Sequence, residues 1–110
     1  MIWVKQNKYG NEPTIVDGIK FPSRKEASRW QELRLLERAG EITGLVRQVR
    51  IELIPKTSMY NACYYVADFV YFDKKTGKTV YEDVKGYKTQ VYEIKKKLLF
   101  WRHGIKIKET

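Results

Sequence analysis

The sequence predicts one α/β domain with a mixed sheet, in the order helix, strand, strand, strand, helix, strand. Three observations carry this expectation. Apolar residues recur at helical spacing in two segments, four other segments read as strands, two of them by period-two alternation, and 110 residues suffice for one modest core.

Taken in order, the first eighteen residues contain Gly10, Pro13 and Gly18 and little periodicity. They predict an N-terminal arm over 1–18, with at most a short strand at Thr14 to Val16, followed by a single domain over 19–110. Ser23-Arg24-Lys25-Glu26 opens a helix, because Ser23 can cap the free amides and Glu26 can reach back to it in a capping box. Ala27, Trp30, Leu33 and Leu36 carry the helix to about Ala39, and Gly40 follows where a left-handed cap is wanted. From Leu45 to Ile54 the period becomes two, with Val49, Ile51 and Leu53 alternating with Arg50 and Glu52, until Pro55 ends the strand. Tyr60 to Phe72 reads as a strand apolar on both faces, with Tyr64, Val66, Asp68, Val70 and Phe72 on one side throughout, and hence as a central one. Asp73 to Lys78 reads as a hairpin turn, and Thr79 to Lys85 as the returning strand, ended by Gly86. A second helix is expected from Thr89 to His103, with Val91, Ile94, Leu98 and Trp101 on its buried side and Gly104 closing it. Ile105 and Ile107, alternating with Lys106 and Lys108, mark a short final strand.

Composition narrows the function. The formal charge is +9, with eight Tyr and three Trp. This suits a phosphate-rich partner such as DNA, because Lys and Arg release condensed counterions when they neutralise a nucleic-acid backbone. No apolar run is long enough for a membrane span or signal peptide, so a cytoplasmic protein with no membrane partner is expected. A lone Cys63 and a lone His103 exclude an internal disulfide and the usual zinc cage, which leaves carboxylates to hold any metal.

Two acids stand out. Asp68 lies in the middle of a doubly apolar strand, where it must be paired, ligate a cation or incur a desolvation penalty. In Tyr81-Glu82-Asp83-Val84-Lys85-Gly86, Asp83 and Lys85 share a face and Glu82 points to the other; a bulge would exchange Glu82 for Asp83. If the hairpin register sets Asp68 beside Asp83, the two carboxylates converge and can hold a divalent cation, with Lys85 alongside. Glu26 either completes a ring of three acids or serves only the capping box. Gln48 either faces that site or is a solvated edge glutamine. Lys88 and Lys95 can contact phosphates flanking a scissile bond, while His103 is read as capping carbonyls and Cys63 as core packing.

These residues resemble the PD-(D/E)XK nuclease superfamily, and more closely its small phage-encoded members related to Holliday-junction resolvases. Asp68 in Val66-Ala67-Asp68-Phe69 is similar to the first aspartate of the family, with Ala67 where its name has proline. Asp83-Val84-Lys85 resembles its (D/E)-x-K element, and Glu26 the acid of its first core helix. The resemblance runs from about Val16 onward. It implies a restriction-endonuclease-like core and a Mg²⁺-dependent DNA endonuclease, with Mn²⁺ as a substitute. Asp68, Asp83 and Glu26 would then hold the metal, Lys85 would position the attacking water, and branched DNA would be the substrate. Cutting two strands symmetrically needs two sites, so a homodimer is expected, with Trp3 and Tyr9 of the arm serving the dimer or stacking on DNA.

Overall fold

A computed structural model describes residues 12–84 and 88–110. It is an α/β fold with a two-stranded and a four-stranded sheet. The element order is β1 (Thr14–Val16), β2 (Ile19–Phe21), α1 (Arg24–Arg38), β3 (Ile42–Ile54), β4 (Cys63–Asp73), β5 (Lys78–Asp83), α2 (Gln90–His103) and β6 (Ile107–Glu109). The expected helix, three strands, helix, strand is present, and a hairpin precedes it.

That hairpin spans residue 18, where the sequence reading ends the arm. Asp17 (φ 54°) and Gly18 (φ 74°) form a two-residue turn with both φ positive, and Val16 pairs with Ile19 across it. This is the turn geometry whose twist matches antiparallel strands, and Asp-Gly is a favoured sequence for it. The Asp17 carboxylate also accepts the Trp30 indole N–H at 3.3 Å, tying the hairpin to α1.

α1 begins as its sequence demands: Ser23 Oγ accepts the Glu26 N–H at 3.1 Å. It ends in a Schellman arrangement, with Gly40 at φ 80°, its N–H donating to Glu37 O and the Glu41 N–H donating to Leu36 O.

The main sheet has the order β3-β4-β5-β6, antiparallel except for the parallel β5–β6 pair. A parallel pair needs a crossover, and α2 supplies it. β4 is therefore interior, as its two apolar faces require. Two buried clusters flank the sheet. One gathers Phe21, Ala27, Trp30, Leu33, Ile42, Phe69 and Tyr71 around α1; the other gathers Leu53, Tyr65, Ala67, Leu99 and Ile107 around α2.

The strands do not alternate as their sequence suggests. Phe69 and Tyr71 belong to the α1 cluster, while Val70 between them packs with α2, so the helices cover opposite faces. Yet Tyr65 and Ala67, of the same parity as Phe69, lie with α2. The expected uniform sidedness of β4 therefore fails at Asp68. The paired strand reverses at the same level: Leu45 packs in the α1 cluster and Arg47 stacks over Phe21, whereas Ile51 and Leu53 lie with α2. The cause is Gln48, whose φ of 51° turns the pleat over between Arg47 and Val49 without changing the pairing register.

α2 also differs from its expectation. Its cap is Thr89 and its end is Gly104, as read from the sequence. The residues facing the core are Tyr92 and Leu99, with Leu98 partly covered. Val91, Ile94 and Trp101 are 62%, 58% and 81% exposed. The helix is rotated because Tyr92 seats its ring against Tyr65, donates its hydroxyl to Glu109 on β6, and so draws its own face inward. Among the described residues, no helix is long and apolar enough to cross a membrane.

Candidate functional site

The antiparallel ladder between β4 and β5 has Phe69 opposite Glu82 as its last pair. One step further, where the strands part, Asp68 and Asp83 stand opposite each other. Side chains there take the place of ladder bonds. Asp83 Oδ1 accepts the Asp68 N–H at 3.0 Å, Asp68 Oδ2 accepts the Val84 N–H at 2.9 Å, and Asp83 Oδ2 accepts the Tyr65 hydroxyl. Asp83 is wholly buried and Asp68 is 8% exposed. Two backbone amides and a phenol thus supply hydrogen-bond donors to the two carboxylates inside the sheet.

Gln48 lies level with Asp68 on β3, and its Nε2 is 3.3 Å from Asp68 Oδ1 and 3.5 Å from Glu26 Oε2. A left-handed backbone on a residue with a side chain costs on the order of 1 kcal/mol or more, and such strain gathers at functional positions. The reading of Gln48 as a supporting polar group beside the acids fits this placement, although its residue is exposed. Glu26 is buried in the first turn of α1 and is reached by Arg47 Nη2 at 3.5 Å as well as by Gln48. The third acid of the expected ring therefore joins Asp68 through an amide. Among the described residues, no three His, Cys, Asp or Glu side chains gather closely enough to hold a metal by themselves.

Glu82 is turned away from the pair. It is wholly buried and forks onto Arg29 of α1, with Nε to Oε2 at 3.0 Å and Nη2 to Oε1 at 2.8 Å; the Tyr71 hydroxyl adds a bond at 3.4 Å. The Glu82 bond holds the Arg29 guanidinium well above its ordinary pKa, and burial raises that of Tyr71. Of the two adjacent acids, Asp83 is thus the one that meets Asp68, and Glu82 belongs to an ion pair between α1 and the sheet. Lys85, Trp3 and Tyr9 lie outside the described residues.

The lysines read as phosphate contacts are placed differently from one another. Lys88 is 3.1 Å from Glu109 and shares it with Lys96 and Tyr92, so it is engaged in binding β6; Lys95 is half-buried on α2. The Tyr92 hydroxyl, then Lys88 and Lys96, pull the Glu109 pKa down to about 2. His103 Nε2 meets the Glu52 carbonyl at 2.6 Å, a tertiary contact rather than a cap on its own helix, and Cys63 packs against the α2 cluster.

The sheet, the two helices and the paired acids at a parted ladder place the protein in the α/β class with a candidate site at β4 and β5. Residues 6–109 match the model of the family described as a protein of unknown function, DUF1064, and the chain belongs to that family. No curated protein and no solved structure matches the chain.

Proposed function

We propose that the protein is a metal-dependent DNA endonuclease on a restriction-endonuclease-like core, acting on phosphodiester bonds. The observation that carries this reading is the meeting of Asp68 and Asp83 where β4 and β5 part, with backbone amides directed at both carboxylates. Their hard oxygen donors suit Mg²⁺, with Mn²⁺ as a substitute, and Asp68 and Asp83 would hold the ion. Bound there, the metal would polarise a phosphodiester and lower the pKa of an attacking water. Tyr65 and the Asp68 amide fix the Asp83 carboxylate, and Gln48 links Asp68 to Glu26, so a change at any of these moves the acids. Lys85 takes the water-positioning role that the resemblance implies. The charge of +9 supplies attraction for the DNA backbone, and branched DNA, such as a four-way junction, is the substrate we favour.

A second reading has its own support. The Gln48 amide stands between Glu26 and Asp68, as in a structural polar network with no catalytic task. On that reading the protein is a nucleic-acid-binding module, or a phage regulatory protein on the same fold.

One experiment separates the two. Purified protein is incubated with a labelled four-way junction and a matching linear duplex, in Mg²⁺ or chelator, beside Asp83→Ala. Mg²⁺-dependent cutting that is lost in the variant, with binding retained, is expected. Binding of both substrates without cutting in Mg²⁺ or Mn²⁺ overturns the nuclease reading.

A further inference from the structure

Beyond the paired acids, β3 and β4 run on as a two-stranded ribbon. The last β4–β5 pair is Phe69 with Glu82, so Cys63 to Ala67 pair with β3 alone among the described residues. α2 covers the ribbon face that carries Ile51, Leu53, Tyr65 and Ala67. Alternation puts Arg50, Tyr64 and Val66 on the opposite face, where Val66 is 42% exposed. We propose that this open face and the hairpin tip beyond it hold unpaired bases of DNA, with Tyr60 as the stacking platform and Arg50 as a phosphate contact.

The tip is the first support. Thr57 fixes its backbone: the Thr57 N–H donates to Tyr60 O at 2.9 Å, and Thr57 Oγ1 accepts the Tyr60 N–H at 2.9 Å and the Met59 N–H at 3.3 Å. The side chains of Met59 and Tyr60 are nevertheless 79% and 72% exposed. Large side chains held out on a fixed turn lose little further freedom on binding, and an aromatic ring so placed can stack on any base. Met59 beside it is of the apolar kind that wedges between unstacked bases.

Charge is the second support, and it favours a nucleic acid over an apolar protein partner. The Arg50 guanidinium lies over the Tyr64 ring at 4.1 Å and makes no ion pair among the described residues. Stacking on the ring orients the guanidinium plane and leaves its N–H groups for a phosphate. Glu52, the acid of the same face, is taken by Arg102 at 2.9 Å, and Lys56 adds an exposed cation near the tip. Cations interleaved with rings match the alternation of phosphate and base along a single strand.

Position is the third. Arg50 and Val66 pair with each other two residues from Gln48 and Asp68, so the open face begins at the candidate site. At a rise of about 3.3 Å per residue, Cys63 stands roughly 17 Å from Asp68, the span of about five stacked nucleotides. A strand lying on the ribbon therefore leads from the tip to the acids. The choice of DNA as occupant rests on the proposed function, whereas its binding is read without cutting.

The test is fluorescence anisotropy of the full chain in chelator, with a labelled single strand and the matching duplex. Tyr60→Ala should weaken single-strand binding at least about fivefold, the lower end of what one base–aromatic stack contributes, and duplex binding less than about twofold, with an unchanged circular dichroism spectrum. Tyr60→Phe keeps the ring and should bind as the parent does. Arg50→Gln should weaken both DNAs and lower the slope of log affinity against log salt by about 0.7 to 0.9. A single strand carrying iodouracil should crosslink to Tyr60 under ultraviolet light. Parental single-strand affinity in Tyr60→Ala, an equal loss on both DNAs, or a parent that binds no single strand overturns the proposal, as does parental affinity in Arg50→Gln. A Tyr60 effect without cutting in Mg²⁺ or Mn²⁺ supports this surface and removes the nuclease reading alone. Cutting that needs Asp83 while Tyr60→Ala binds as the parent does removes this surface alone.

Discussion

Removing Arg29 tests the separation of the two neighbouring acids on β5. Glu82 has no exposed surface, and its carboxylate is held by a forked guanidinium at 2.8 and 3.0 Å. In Arg29→Met that charge keeps, among the described residues, the Tyr71 hydroxyl at 3.4 Å and Lys108 at 3.9 Å. Breaking a buried pair by deleting one partner costs about 3–5 kcal/mol, and we expect about 4 here because Glu82 is the deeper member. For a domain of this size that is roughly 15–30 °C in Tm. Glu82→Gln should cost less, about 3 kcal/mol, because Arg29 still reaches Glu32 at the rim at 2.8 Å. The double variant Arg29→Met/Glu82→Leu removes both charges together and should return to within about 1–2 kcal/mol of the parent. Urea unfolding at pH 7 measures all three as shifts in midpoint at constant slope. A cost below about 1 kcal/mol for Arg29→Met, or a double variant as unstable as the two losses added together, would refute the assignment of Glu82 to a buried structural pair.

Three other outcomes follow from the same geometry. Gln48→Gly and Gln48→Ala both lose the amide and differ only in the side-chain carbon at φ 51°, so the glycine variant should be more stable by about 1 kcal/mol in urea titration. Because the pKa of Glu109 is lowered to about 2, its ion pairs stabilise the fold above about pH 4.5, and this contribution is lost as pH falls through about 2. With its partners exposed to screening solvent, Glu109→Gln should cost no more than about 1 kcal/mol at pH 6, and the difference should vanish near pH 2 where the variant and parent melts converge. Asp83→Ala should abolish Mg²⁺-dependent cutting while a gel-shift assay shows DNA binding intact.

Much of this architecture was legible because the signals were local. Ser23 and Glu26 mark the start of α1 with the bond they make, Gly40 and Gly104 mark helix ends, and the alternation from Val49 to Leu53 lies within β3. The pairing of Asp68 with Asp83 was legible too, since the turn at Asp73 to Lys78 sets the register that places them one step beyond Phe69 and Glu82. Asp17-Gly18 carried an equally local hairpin signal that the reading of an irregular arm passed over. Other features had no local signal. A left-handed glutamine inside a strand looks like any other glutamine, so the reversal of the pleat was hidden and β4 was expected to keep one sidedness. The rotation of α2 was hidden for a related reason. The face that turns inward is set by contacts of Tyr92 with Tyr65 on β4 and Glu109 on β6, which the helix's own spacing does not carry.

The reversal at Gln48 and Asp68 makes one pair of strands the inner wall of two cores. Residues on one side of the reversal pack with α1, and those on the other side with α2, although the ladder between β3 and β4 keeps its register through it. Neither helix can detach without exposing a wall that adjoins the other, so the two halves should melt as one cooperative unit. The amides around Asp68 sit at this seam and should exchange with solvent only through global opening. The acids that form the candidate site are thus anchored at the part of the chain that is last to open, while the exposed stripe on α2 lies outside that anchor.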